Sequence, residues 1–254
     1  MSEDSEEDPR SLPQPKPGGM GLRRLTTARV ALGRVGASLP TGAALDFGMA
    51  HARARDAVQT RLNRTGLTEG LEAAGFSVGA VMSRAASRAE YLLRPDLGRR
   101  LSEESRAEIA DSGGAGRLTV VVADGLSAVA PGRHAVGVLR ELRERVQGWE
   151  WDRVFLAEQA RVALGDEVGE LRGAEAVLVL IGERPGLQAA DSLGLYLTYA
   201  PKVGRTDAER NCVSNVREGG LGYAEAAHRL AALLAGARTL GASGVGLKDE
   251  LLLG

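Results

Sequence analysis

The chain divides by the spacing of its apolar positions. Residues 22–110 read as mainly helical. In LDFGMAHARARDAVQTRL, Leu45, Met49, Ala52, Val58 and Leu62 recur at roughly helical spacing, with Arg53, Arg55, Asp56 and Arg61 largely between them. Thr41 can cap the start of this helix. A second periodic stretch, roughly 78–93, stops near Arg94-Pro95, because the residue before a proline is pushed out of helical geometry. A third, short helix is expected over 103–110. DSGGAGR (111–117) reads as a linker. Beyond it the pattern changes to short apolar runs at 117–124, 152–158, 176–182 and 193–200, alternating with helical stretches near 133–147, 166–172 and 223–240. In the last of these, Ala227, Leu230, Leu234 and Ala237 share one face. Continuous apolar strands alternating with helices imply an α/β fold, with a parallel sheet covered on both faces. No internal repeat is present.

Composition narrows the picture. Residues 1–20 combine a run of acids with Pro13, Pro15, Pro17, Gly18 and Gly19, too polar to offset ordering entropy, and read as a disordered tail. The 254 residues fit one large domain, or one domain with a smaller companion, and can bury enough surface to fold without disulfides or metal. Apolar residues are 44% of the chain and aromatics only 4%, so the core is built of small aliphatic side chains. Lys plus Arg total 32 against 33 Asp plus Glu, which leaves no basic field for nucleic acid. Arg far outnumbers Lys, which carries no functional reading. The single cysteine, Cys212, cannot form an intrachain disulfide, and a reducing cytoplasm is the natural setting. No run approaches 18 apolar residues, so no membrane-spanning helix is expected, and the acidic N-terminus MSEDSEEDPR is not a signal peptide.

Candidate chemistry gathers where the strands end. DGLS (124–127), QARVALGD (159–166), GERPG (182–186) and PKVGRTDAERNCVSN (201–215) follow the four expected strands. Ligands of open α/β sheets bind outside the carboxyl ends of strands, although any βα loop tends to be polar and glycine-rich. Familiar motifs fail one by one. Gly114-Ala-Gly116 precedes its strand and lacks the third glycine of a dinucleotide fingerprint, and there is no Walker loop. Ser127 in G-L-S-A-V lacks the closing glycine of a nucleophile elbow, and a turn serine or helix cap is the plainer reading. His51, His134 and His228 fall on three separate helices without metal-ligand spacing. A lone cysteine is usually packing, and Glu183 and Arg184 read equally as a loop ion pair. The residues thus assign no catalytic group and no metal site.

At these same loops the sequence resembles a known family. VVADGLSA, QARVALGDEVGE, LIGERPGLQAADSLGLYLTYAPKVGRTDAERNCVSN and ASGVGLKD are similar to the small (light) subunit of ethanolamine ammonia-lyase, over about 24–249 and most densely over 117–217. The resemblance implies an adenosylcobalamin-dependent ammonia-lyase converting ethanolamine to acetaldehyde and ammonia by a radical route. It implies a helical N-terminal region (21–112) and a Rossmann-like cobalamin-binding domain (113–254). It implies a large (β/α)8-barrel partner subunit holding the substrate, with the cofactor between the two chains of a hetero-oligomer. The family's cofactor-contacting positions fall on Val162 in ARVAL, Glu183 in GERPG and Cys212 in NCVSN, all three expected in loops. Backbone near Val162 and Gly165 can approach the corrin plate. Glu183 can take hydrogen bonds from amides or ribose, and the role of Cys212 is contact rather than attack.

Absence of a catalytic pair fits a cofactor that carries its own chemistry. Some cobalamin domains replace the lower base with the histidine of D-x-H-x-x-G. Here His134-Ala-Val-Gly137 matches only half of it, with Gly132 in the Asp position, so base-on binding is expected. Some family members carry an N-terminal segment linked to encapsulation in a bacterial microcompartment. The acidic tail, with no amphipathic helix before residue 20, argues against it. Two other readings stand beside the lyase: a non-catalytic cobalamin-binding or scaffold protein, and a hydrolase using Ser127.

Overall fold

The structure, a computed structural model, describes residues 25–26, 28–111 and 118–247. The acidic tail over 1–20 and the Gly114–Gly116 part of the linker lie outside the described residues. Two compact units form, one of the residues up to Ala54 with Gly186–Gln188, the other of Arg55–Pro185 with Ala189 onward. In the first, Val35 and Ser38 exchange backbone hydrogen bonds before helix α1 (Thr41–Gln59) begins. Leu45, Phe47 and Met49 on that helix are exposed.

The second unit holds a six-stranded sheet. Its strands are β1 (Val78–Met82), β2 (Leu118–Ala123), β3 (Trp151–Glu158), β4 (Ala176–Gly182), β5 (Leu193–Tyr199) and β6 (Asn211–Val216), in the order β1-β3-β2-β4-β5-β6. β1, β3, β2 and β4 pair parallel, while β5 is antiparallel to β4, and β6 to β5. The fold is therefore α/β with a mixed sheet, which corrects the wholly parallel expectation. A connection too short to hold a crossover helix separates β4 from β5, so β5 can only run back.

Every residue of β2 and β4 is buried, which explains their unbroken apolar runs. Side chains alternate between faces. Val120, Val122, Leu156, Leu178 and Leu180 pack with helices α2 (Arg64–Ala73), α5 (Val129–Arg145) and α7 (Tyr223–Leu240). Val121, Ala123, Phe155, Val177 and Val179 pack with Ile109 of α4 (Glu103–Asp111) and with Leu164 and Val168 of α6 (Leu164–Leu171). The helix expected over 78–93 is two elements, the edge strand β1 and the short helix α3 (Arg88–Leu93). Ser87 caps α3, its Oγ accepting from Glu90 N. No helix among the described residues is long and apolar enough to cross a membrane.

From β2 the chain crosses through α5 to β3 on one side, then returns through α6 to β4 on the other. The crossing directions diverge at the carboxyl ends of β2 and β4, where an α/β sheet opens a crevice. There the two loops touch backbone to backbone, Leu126 N donating to Gly182 O at 2.9 Å. A Cβ on Gly182 would lie 1.9 Å from Ser127 O, and Gly125 at φ +54° would place one 2.3 Å from Gly182 O. Gly182→Ala is therefore expected to destabilise the fold by about 3 kcal/mol, because the obstacle is backbone that cannot rotate aside. Urea unfolding checks this, and an unchanged midpoint would contradict the packing described.

Candidate functional site

The site is built from the turn after β3 outward. Asp124, at the end of β2, accepts from Gln159 N at 2.9 Å and Ala160 N at 3.1 Å, one bond to each oxygen. Gln159 takes φ 54°, a left-handed conformation that a longer side chain adopts only when held there. Arg88 bridges the same corner, with Nη1 3.5 Å from Asp124 and 2.8 Å from the Gly125 carbonyl. Burial pushes the Asp124 pKa up, against the opposing pull of the Gln159 and Ala160 amides and Arg88. The guanidiniums of Arg88 and Arg161 lie 4.8 and 4.4 Å from the centroid of the Tyr91 ring, whose hydroxyl donates to Ala160 O. Burial pushes the Tyr91 pKa up to about 12, so it remains a phenol. Arg88 Nη2, Gln159 Oε1 and Arg161 Nε are buried without a hydrogen-bond partner.

The held turn presents Val162, half-buried, at the rim of a cleft of about 260 Å³. Tyr91, Gly125, Arg161, Gly182, Glu183, Arg184 and Tyr196 also line it. Glu183 directly follows β4. Its carboxylate accepts from Ser192 Oγ and, at 3.3 Å, from Asn215 N, so these take the place of an Arg184 ion pair. Cys212 does not line this cleft. It lies on β6, opposite Tyr196 of β5, which corrects its expected place in a loop. The segment NCVSNV is polar, yet a register shift lets Val213 and Val216, three residues apart, both face the core, and backbone pairing to β5 decides its form. The exposed Cys212 has its thiol pKa raised by desolvation, with Tyr196 hydrogen bonding opposing and Glu183 reinforcing the shift. It stays a neutral thiol, unsuited to nucleophilic attack. Val162 and Glu183 thus share a cleft, and Cys212 joins them through Tyr196.

Sequence reasoning missed Arg88, Tyr91, Asp124, Arg161 and Tyr196. The last three lie inside the quoted motifs, whereas nothing local signals Arg88 or Tyr91. The hydrolase reading loses its geometry. Ser127 is fully buried and its Oγ donates to Ala190 O at 2.7 Å, while His134 Nδ1 is 2.8 Å from the Tyr223 hydroxyl.

A second cleft, of about 610 Å³, shares Arg161 and Val162 with the first. Within it the buried Asp166 accepts from Arg210 Nη2 at 2.6 Å. Burial pushes the Asp166 pKa up to about 7 from 3.8, against the opposing charges of Arg210 and Arg205. The folded chain therefore holds this proton more tightly than the unfolded one. The resulting stabilisation is complete below 3.8 and is lost as pH rises through about 7. Asp166→Asn is expected to flatten the fall of melting temperature across that window. An unaltered slope would contradict the assignment.

Comparison with known proteins bears on the same segments. Residues 19–248 match the family described as ethanolamine ammonia-lyase light chain (EutC). A Pseudomonas syringae pv. tomato protein named ethanolamine ammonia-lyase small subunit is 55% identical over 238 residues, 91% of this chain and 83% of the relative. Proteins of the same name from Pseudomonas fluorescens and Xanthomonas campestris pv. campestris are 52% identical over 250 residues and 55% over 235. They cover 96% and 90% of this chain, and 90% and 86% of their own lengths. With nearly the whole described chain matched, from α1 through α7, it belongs to the ethanolamine ammonia-lyase small (light) subunit family.

Proposed function

We propose that this chain is the small subunit of an adenosylcobalamin-dependent ethanolamine ammonia-lyase. In this reading it acts with a large (β/α)8-barrel subunit in a hetero-oligomer and has no activity alone. The observation that carries it is the cleft at the sheet's crossing point, where Val162 and Glu183 face one space and Cys212 stands one side chain away. The residues present fit a corrin. Leu126, Val162 and Ile181 with the backbone of Gly125 and Gly182 offer an apolar approach, and Glu183 offers acceptor oxygens for amides. Buried Arg88 Nη2 and Gln159 Oε1 beside the turn have no hydrogen-bond partner among the described residues. Bound cofactor supplies the radical chemistry, and this chain's residues hold it and exclude water. Residues 113–254 are read as a Rossmann-like cobalamin-binding domain, supported by the parallel β2-α5-β3-α6-β4 run with its crevice.

Base-on binding is supported by the placement of His134. It is 4% exposed, with one ring nitrogen against Tyr223 and the other 3.5 Å from Asp191, and so does not present itself to a ligand. A cytoplasmic setting outside a microcompartment remains the reading for this single-thiol chain.

Three measurements test the proposal on the chain co-expressed with its large subunit. Ammonia release from ethanolamine is expected only when both subunits and adenosylcobalamin are present, and turnover by the isolated chain would refute a divided enzyme. Glu183→Ala is expected to weaken cofactor binding about tenfold, on the order of 1.4 kcal/mol, without moving the melting temperature. An unchanged spectroscopic titration would remove Glu183 from the site. Added cob(II)alamin should keep the same nitrogen hyperfine pattern when the protein carries 15N-histidine, and a changed pattern would mean a protein histidine has replaced the lower base.

A further inference from the structure

The 610 Å³ cleft is strongly cationic. Arg99, Arg100, Arg161, Arg205 and Arg210 line it, against the carboxylates of Asp166 and Asp207. Most of these charges are matched. Arg210 pairs with Asp166, Arg205 with Glu209, and Arg100 with Glu167 through two N–H groups at 2.9 and 3.1 Å. Arg99 and Arg161 are different. Among the described residues neither guanidinium has an ion pair or a hydrogen bond, and that of Arg161 lies 4.4 Å from the Tyr91 ring centroid. Arg161 N donates to Gly98 O at 2.8 Å, so the turn carrying Arg99 is tied to the turn carrying Arg161.

A half-buried guanidinium with a desolvated, unpartnered Nε is costly unless an anion completes it. Arginine is the side chain that best matches phosphoryl oxygens, through parallel N–H bonds. Just beyond Arg161 the eight-residue α6 begins, with no side-chain cap at Ala163, so its positive end faces the same turn. Asp166 in its first turn is the nearest opposing charge, and it is already engaged by Arg210. The volume lies within the range of about 300–1,000 Å³ usual for small-molecule sites.

We infer that this cleft receives the phosphodiester of the cofactor's nucleotide arm, with Arg161 and Arg99 as its charge partners. The inference rests on the cofactor reading above. The link is the shared wall: Arg161 and Val162 line both clefts, so an anion held here belongs to a ligand continuing past Val162. The phosphodiester is the anionic group cobalamin carries, and it hangs at the periphery of the corrin.

The test compares two probes on the complete two-subunit complex: cobalamin, and cobinamide, which keeps the corrin but lacks the nucleotide arm. Arg161→Gln is expected to weaken cobalamin about tenfold and Arg99→Gln about threefold, as for charge-assisted hydrogen bonds. Both variants should bind cobinamide within about twofold of the parent, and the salt dependence of cobalamin binding should become shallower in both. Arg99 is exposed and pairs with no described residue, so its variant keeps the test open if Arg161→Gln disturbs the contact with Tyr91. Three outcomes would overturn the assignment: equal losses for both probes, no loss for cobalamin, or subunit dissociation with cofactor affinity unchanged. The last would give the cleft to carboxylates of the large subunit. A parent complex that binds neither probe would sink the cofactor reading itself.

Discussion

A buried carboxylate at the end of β2 governs the carboxyl-end edge of this sheet. Each oxygen of Asp124 accepts a backbone amide from the first residues after β3. That grip turns the chain through a left-handed Gln159 and sends Val162 back toward the crevice. Burying a carboxylate is unfavourable, and here two amide hydrogen bonds and a nearby Arg88 compensate. Arg88 in turn ties the corner to α1 and to the loop after β2, through Val58 O and Gly125 O. One acid thus couples β2, β3, α3 and the turn whose Arg161 and Val162 line both clefts.

The arginines sort by what surrounds them. Arg172 meets Asp152 at 2.7 Å with both side chains nearly sealed from solvent, and Arg210 meets Asp166 in the same way. Such buried pairs specify geometry more than they add stability, since desolvation cancels much of the attraction. Glu167 is gripped by Arg100, Arg106 and Leu101 N, which fixes the start of α6 against the Leu97–Arg99 turn. Among the arginines lining the larger cleft, Arg99 and Arg161 are the two with neither an ion pair nor a side-chain hydrogen bond among the described residues. The Arg-rich composition had no reading in the sequence because pairing, not abundance, separates one guanidinium from another.

The sheet's reversal beyond β4 has a chemical consequence. β5 and β6 run antiparallel, and their register sets Cys212 opposite Tyr196. Glu183, leaving β4 and held by Ser192 and Asn215, lies on the same side. Three residues separated by up to 29 positions therefore meet through strand register rather than through loops. A flat strand surface with a neutral thiol and a phenol suits contact with a broad apolar ligand face better than it suits proton transfer.

The periodic segments were legible without coordinates, because burial on both faces demands unbroken apolar strands and one-sided burial demands helical spacing. β4 over Ala176–Gly182 and α7 over Tyr223–Leu240 fall where the pattern puts them. The family was legible too, since GERPG and NCVSN are local strings. Strand direction, the edge strand β1 and the pairing of β6 were not. VGAVM is compatible with a helix, NCVSNV is polar enough for a loop, and only hydrogen bonds to distant partners decide between states of similar local energy. Tertiary packing alone also decided which arginines lack counterions and which buried groups share a cleft, because charge compensation is a property of three-dimensional neighbours and leaves no periodic trace along the chain.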